Sequence, residues 1–249
     1  MNNKLYCVIP AAGKGTRMGK NSNKLFMEIR GIPVIVRTLQ AFADLKATGI
    51  DVHIVIVTNE ENIMPMSDIV SSYGFDFVDT ITLGGSSRTE SVALGVKALS
   101  YLEEPPQAQD YVFIHDGARC LVDNDILLDG MEKLSRFDVC VAAVPMKNTV
   151  KKISESPDGQ IVTDTPDRNT LVEVQTPQCF RYSVLKESYE HAMTNKIEAT
   201  DDTALAELLG YRVGICRGSY SNIKITTAED IVMAESLIDS RGLNTPPKT

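Results

Sequence analysis

Apolar positions along the chain follow two alternating rhythms. Nearly continuous runs rich in β-branched residues occupy 5–9, 52–57, 77–81, 111–115, 139–144 and 211–215. Runs of that kind predict strands covered on both faces. Between them, apolar residues recur at i, i+3, i+4 and i+7 over 34–45, 61–72 and 87–102, the spacing of amphipathic helices. Helical patterns return over 182–195, 201–209 and 228–238. Thr200 is placed to cap the second of these, with Gly210 ending it. Thr227, with Asp230 three residues on, opens the last in the manner of a capping box. The alternation predicts an α/β fold in three layers, a mostly parallel sheet between helices.

One segment breaks the rhythm. Residues 147–171 carry two short alternating stretches around Pro157-Asp158-Gly159, a strong turn signal, and are too polar for a core hairpin. They predict a β-hairpin arm leaving the main body, a shape suited to packing on a second subunit. Residues 1–241 then form one domain, with 147–171 as its arm and 242–249 as a disordered tail.

Composition narrows the possibilities. The chain has 249 residues, 43% of them hydrophobic, ample for a packed core. No apolar stretch is long enough to span a bilayer, and the start of the chain does not read as a signal peptide, so a cytoplasmic protein is expected. The net charge of -8 argues against a nucleic-acid binder and implies that any cationic site is local. Five cysteines with no Cys-x-x-Cys, and three scattered histidines, argue against a zinc or disulfide scaffold. Cys7 and Cys140 lie in apolar strands and read as core thiols.

Candidate chemistry begins after the first strand. Pro10-Ala11-Ala12-Gly13-Lys14-Gly15-Thr16-Arg17-Met18 supplies small residues and two glycines, which let backbone N–H groups approach a phosphate chain. Lys14, Arg17 and the nearby Lys24 add positive charge, as a nucleoside triphosphate requires. It is not a Walker loop, whose Gly-x-x-x-x-Gly-Lys-Ser/Thr is missing. It is not a dinucleotide loop either, because Met18 stands where the third glycine would be. No convincing hydride-transfer constellation accompanies it.

Three more elements join it. Gly84-Gly85-Ser86-Ser87-Arg88-Thr89-Glu90-Ser91 is either an ordinary helix start or a turn on which a nucleobase lies flat, its edge read by N–H groups and hydroxyls. In His115-Asp116-Gly117-Ala118-Arg119, Asp116 follows a buried strand. Its carboxylate suits a ribose hydroxyl or a divalent cation, and Arg119 suits a phosphate or an ion pair with Asp116. Lys224, in the apolar setting of Asn222-Ile223-Lys224-Ile225-Thr226, needs an anion if partly buried. Gly13, Gly85 and Asp116 all follow strands, so they converge on one sheet edge if those strands are parallel.

Taken together, these strings resemble the 2-C-methyl-D-erythritol 4-phosphate cytidylyltransferase family. The matching strings are Ala11 through Met18, His115-Asp116-Gly117-Ala118-Arg119, Asp167-Arg168-Asn169, Thr176-Pro177-Gln178-Cys179-Phe180 and Asn222 through Thr226, in the family's order. The resemblance implies a Rossmann-like nucleotidyltransferase fold, a homodimer joined through the arm, and Mg²⁺ with CTP. The implied reaction joins CTP and methylerythritol 4-phosphate, releases pyrophosphate, and belongs to the non-mevalonate route to isoprenoids. Arg17, Lys24 and Lys224 would act on the triphosphate as catalytic cations. Pro10, Ala11, Ala12, Gly13, Gly15 and Thr16 would cradle it. Gly85, Ser86, Arg88 and Ser91 would serve the nucleotide, and Asp116 the ribose, the acceptor and the metal. Arg119, Thr149, Arg168 and Thr176 would bind the acceptor, Thr149 and Arg168 reaching from the neighbouring subunit's arm.

The chain departs from the family pattern in places. Asn23 and Ala228 stand where proline is common, Ser86 where an acid is common, and Gly117 and Cys120 where alanine and proline are usual. A cytidylyltransferase for another polyol phosphate, such as ribitol 5-phosphate, fits the first loop equally well. Asp167-Arg168-Asn169 and the Asp116 string favour methylerythritol phosphate. A nucleotide-binding protein without turnover is the other alternative.

Overall fold

A computed structural model describes residues 4–13 and 23–242. Its centre is a seven-stranded sheet. The strands are β1 (Lys4–Pro10), β4 (Asp51–Thr58), β5 (Val78–Leu83), β6 (Tyr111–Ile114), β7 (Val139–Pro145), β10 (Val172–Arg181) and β11 (Val213–Arg217), in the spatial order β11-β7-β10-β6-β1-β4-β5. Six run in one direction; β10 alone is antiparallel to both its neighbours. The mostly parallel α/β sheet expected from the strand rhythm is therefore present.

The helices are α1 (Val34–Lys46), α2 (Glu60–Ser72), α3 (Arg88–Leu99), α4 (Asn124–Lys133), α5 (Tyr182–Asn195), α6 (Thr203–Leu208) and α7 (Ala228–Arg241). Pleating sends alternate strand residues to opposite faces. Leu5, Cys7 and Ile9 of β1 join one core with α1, α2, α4 and α7, and Tyr6 and Val8 join another with α3, α5 and α6. Gly95 brings α3 tight against the sheet: a Cβ there would lie 2.4 Å from Val8 and 2.7 Å from Val57. That approach sets the start of α3 over the ends of β1 and β4.

Two elements of the main sheet and its covering helices escaped the periodicity, and one boundary needs correcting. β10 contains Gln175 and Pro177, which disguise it as a loop. Its register with β7 shifts between Val174 and Gln178, so the proline falls where the ladder is interrupted. α4 has Gly130 at its centre, a poor helix former. The glycine is required because a Cβ would lie 2.8 Å from the Cys179 sulfur. Helix α6 starts at Thr203 with Asp202 at its cap position, not at Thr200. Gly210 follows with φ +86°, and Thr227 and Asp230 form the expected capping box of α7.

Residues 147–171 contain the expected hairpin, β8 (Lys152–Ser156) against β9 (Gly159–Asp164), both almost wholly exposed. A two-residue pair, β2 (Glu28–Ile29) with β3 (Ile32–Pro33), leads into α1. No helix among the described residues is long and apolar enough to cross a membrane. Of the expected disordered tail, 242–249, Gly242 is instead the ordered C-cap of α7 with φ +68°, and residues 243–249 lie outside the described residues.

Candidate active site

The carboxyl ends of β1, β5 and β6 border a cleft of about 520 Å³. Its lining brings together Pro10, Ala11, Ala12 and Gly13 from the end of β1, Lys24 and Leu25, and Gly85 through Arg88 with Ser91 at the start of α3. Asp116, Gly117 and Ala118 after β6, and Lys224, complete it. Four strings far apart in the sequence thus meet on one sheet edge, because the three strands that deliver Gly13, Gly85 and Asp116 are parallel. Lys14, Gly15, Thr16 and Arg17 lie outside the described residues.

Asp116 is the hub. Its carboxylate lies 2.8 Å from Lys224 Nζ, 3.6 Å from Arg119 Nε and 3.9 Å from Arg88 Nη2. Burial alone would push this carboxyl up; Lys224, then Arg88 and Arg119, outweigh it and hold it down at about 2. The contacts at 3.6 and 3.9 Å are too long for hydrogen bonds and act through charge. Asp116 is also the sole acid among the described residues of the cleft lining.

Supporting contacts keep the hub in place. The Asp116 N–H donates to Thr176 Oγ1 at 3.0 Å, and that hydroxyl meets His115 Nδ1 at 3.1 Å. His115 is wholly buried, and burial lowers it to about 4, so it is a neutral packing residue. Arg119 donates to the Asn222 carbonyl at 2.8 Å, and Asn222 Nδ2 donates to the Thr176 carbonyl at 2.9 Å. The Ile225 N–H donates to the Ala118 carbonyl at 2.8 Å. These bonds clip the 222–225 segment, and Lys224 with it, onto the loop after β6.

The turn at the start of α3 has its own order. Gly85 N donates to Ser91 Oγ at 3.1 Å, and Ser87 caps α3 by accepting from the Glu90 N–H at 3.1 Å. Glu90 accepts from both the Ser86 N–H and hydroxyl, at 2.7 and 2.6 Å, which places an acid beside Ser86. Arg88 lines the cleft, but both arms of its guanidinium donate to Asp202 at 2.7 Å. Asp202 is a partner that the sequence strings do not reveal. Thr149 and Arg168 belong to the exposed arm and do not line this cleft; Arg168 donates to the Lys147 carbonyl at 3.2 Å.

The cysteines are closer together than the sequence suggests. Cys140, Cys179 and Cys216 lie on three adjacent strands with their sulfurs within 4.8 Å of one another, a grouping that spacing along the chain hides. Cys120 is buried, and burial pushes its thiol up to about 12, so it is no ready nucleophile.

A small-residue strand end, an acid ringed by cations and a glycine turn at a helix start, all on the carboxyl edge of a doubly covered sheet, define a nucleotide-binding α/β protein of the nucleotidyltransferase class. The model of the 2-C-methyl-D-erythritol 4-phosphate cytidylyltransferase family matches residues 5–240. The chain belongs to that family. The protein of that name from Alkaliphilus oremlandii is 39% identical over 238 residues, 96% of each chain. The one from Clostridium novyi is 38% identical over 95% of this chain and 97% of its own. The crystal structure of 4-diphosphocytidyl-2C-methyl-D-erythritol synthase from Anaerococcus prevotii superposes with a TM-score of 0.76 at 28% identity, covering 94% of this chain and 98% of that one.

Proposed function

We propose that the chain transfers CMP from CTP to 2-C-methyl-D-erythritol 4-phosphate and releases pyrophosphate. The observation that carries this reading is Asp116 in a cleft bordered by Ala11, Ala12, Gly13 and Gly85, with Lys224 in the same lining 2.8 Å from its carboxylate and Arg119 3.6 Å from it. Family membership supplies the substrates.

The acceptor is a phosphate monoester, already a nucleophile at neutral pH, so no general base is needed. One of its oxygens bonds to the α-phosphorus of CTP as the bond to the bridging oxygen of pyrophosphate breaks. Two anions must meet, so catalysis consists of positioning and of cations aimed at the charge that builds up. Lys24 and Lys224 line the cleft for that role. Arg17, outside the described residues, joins them by its place in the loop string. The Ala11–Gly13 backbone suits the phosphates, Gly85, Ser86 and Ser91 the base, and Asp116 the ribose.

The donor set also fits Mg²⁺, since one carboxylate together with phosphate oxygens is how this hard ion is commonly held. Asp116 would supply the protein oxygen, and the ion would neutralise charge on the triphosphate.

A second copy of the chain is part of the proposal. The arm exposes Ile153, Ile161 and Val162, and an isolated two-stranded ribbon is marginal in water. Packing against a partner would cover these residues and bring Thr149 and Arg168 to the partner's cleft. Heterodimers of Arg168→Ala and Lys24→Ala subunits should then recover activity that neither variant has alone. No recovery in confirmed heterodimers would sink the shared site.

Pyrophosphate release with CTP against a panel of sugar-alcohol phosphates tests the function. Methylerythritol phosphate should give the highest kcat/KM. A preference for ribitol 5-phosphate would reassign the acceptor, and no turnover with any of them would overturn the reading.

A further inference from the structure

Asp202 keeps a carboxylate in the interior with its side chain fully enclosed, and the reaction described above makes no use of it. Both its oxygens accept from the Arg88 fork, each at 2.7 Å, and the Tyr189 hydroxyl donates to Oδ1. Its backbone is held as well. Gln178 Oε1, on the antiparallel strand β10, accepts from the N–H groups of Asp202 and Thr203 at 2.6 and 2.9 Å. Arg88 opens α3 and walls the cleft, with Nη2 3.9 Å from Asp116. One guanidinium therefore faces two carboxylates. Asp202 takes its hydrogen bonds; Asp116 feels only its charge.

We propose that Asp202 is a positioning residue for the nucleotide: by holding the Arg88 fork, it keeps Asp116 open to the ribose or cation of bound CTP. The inference rests on the CTP reading above. The physical reason is a count of acceptor sites. A carboxylate offers about four lone-pair directions. Lys224 already uses one on Asp116. An Arg88 released from Asp202 has Asp116 as its nearest carboxylate, and a bidentate pair there would use two more. Little would remain for a ligand.

The test compares Asp202→Asn, Arg88→Met and the double variant by steady-state kinetics and by calorimetric titration with CTP. Asp202→Asn should raise KM for CTP about tenfold while KM for the acceptor stays within about twofold, a split that general loss of structure would not produce. The double variant should be no worse than Arg88→Met, because Asp202 acts through Arg88. Tyr189→Phe removes one hydrogen bond to Asp202 and should raise KM for CTP by about threefold; it carries the test if Asp202→Asn does not fold. An unchanged KM for CTP, or fully additive losses in the double variant, would overturn the inference. If the wild-type protein binds CTP without turnover, the catalytic reading fails alone, and the titrations decide the positioning role by the same tenfold and additivity criteria.

Discussion

Two buried carboxylates stand on either side of one arginine, and they are satisfied in opposite ways. Asp202 has three of its roughly four lone-pair directions taken, by a bidentate fork and a tyrosine hydroxyl, and its side chain is fully enclosed. Among the described residues, Asp116 has three cations within 4 Å but takes a short contact only from Lys224, and its side chain is 10% exposed, toward the cleft. Burial works against the charge on Arg88, yet Asp202 outweighs it and raises the arginine's pKa. Asp116 is itself held low by its neighbours. A nearly complete set of hydrogen bonds makes a strut. An incomplete set within a strong positive field leaves lone pairs that a ligand could still use.

The comparison can be broken most forcefully at the strut. Asp202→Ala strands Arg88 without its partner and should cost about 3 kcal/mol of stability, the low end for a broken buried pair because Arg88 is partly exposed. Urea unfolding monitored by circular dichroism measures it, and a loss below about 1 kcal/mol would show that the pair is not structural. Asp116→Asn should instead lower kcat/KM by about a hundredfold, the scale for one lost electrostatic contact, in a protein that remains folded. Near-native kinetics would remove Asp116 from the site.

Acid titration sharpens the contrast. Asp116 has a lower pKa in the fold, about 2, than in the unfolded chain, so its contribution is complete above about pH 4 and is lost as the pH falls through 2. That contribution amounts to about 2 kcal/mol. The stability difference between wild type and Asp116→Asn should therefore narrow between about pH 4 and about pH 2, and a difference independent of pH would contradict the ion cluster. The smallest effect is expected at Tyr189→Phe, about 1.5 kcal/mol, the low end for one hydrogen bond to a charged group, because the carboxylate keeps its arginine. A thermal melt indistinguishable from wild type would show that the hydroxyl contributes nothing to the strut.

The local signals were legible where they were periodic. The α1, α2 and α5 patterns, the capping box at Thr227 and the turn at Pro157-Asp158-Gly159 all lie within short windows of sequence. β10 and α4 were not legible, because Pro177 and Gly130 contradict local preference and are explained only by a ladder shift and by the Cys179 sulfur. The cleft strings could be placed on one edge from strand order, so Asp116 and Lys224 were legible as candidates. Asp202 was not, since nothing near Thr200-Asp201-Asp202 marks it as the partner of Arg88.

The strands and helices with regular periodicity, the residue types of the cleft and the family were determined by the sequence alone, because periodicity, turn chemistry and motif strings are properties of neighbours along a chain. Which acid would have its oxygens taken up by protein donors and which would keep lone pairs open to the cleft was decided only in three dimensions. Both are aspartates beside the same arginine, and they differ in how many of their lone pairs the surrounding strands and helices already occupy.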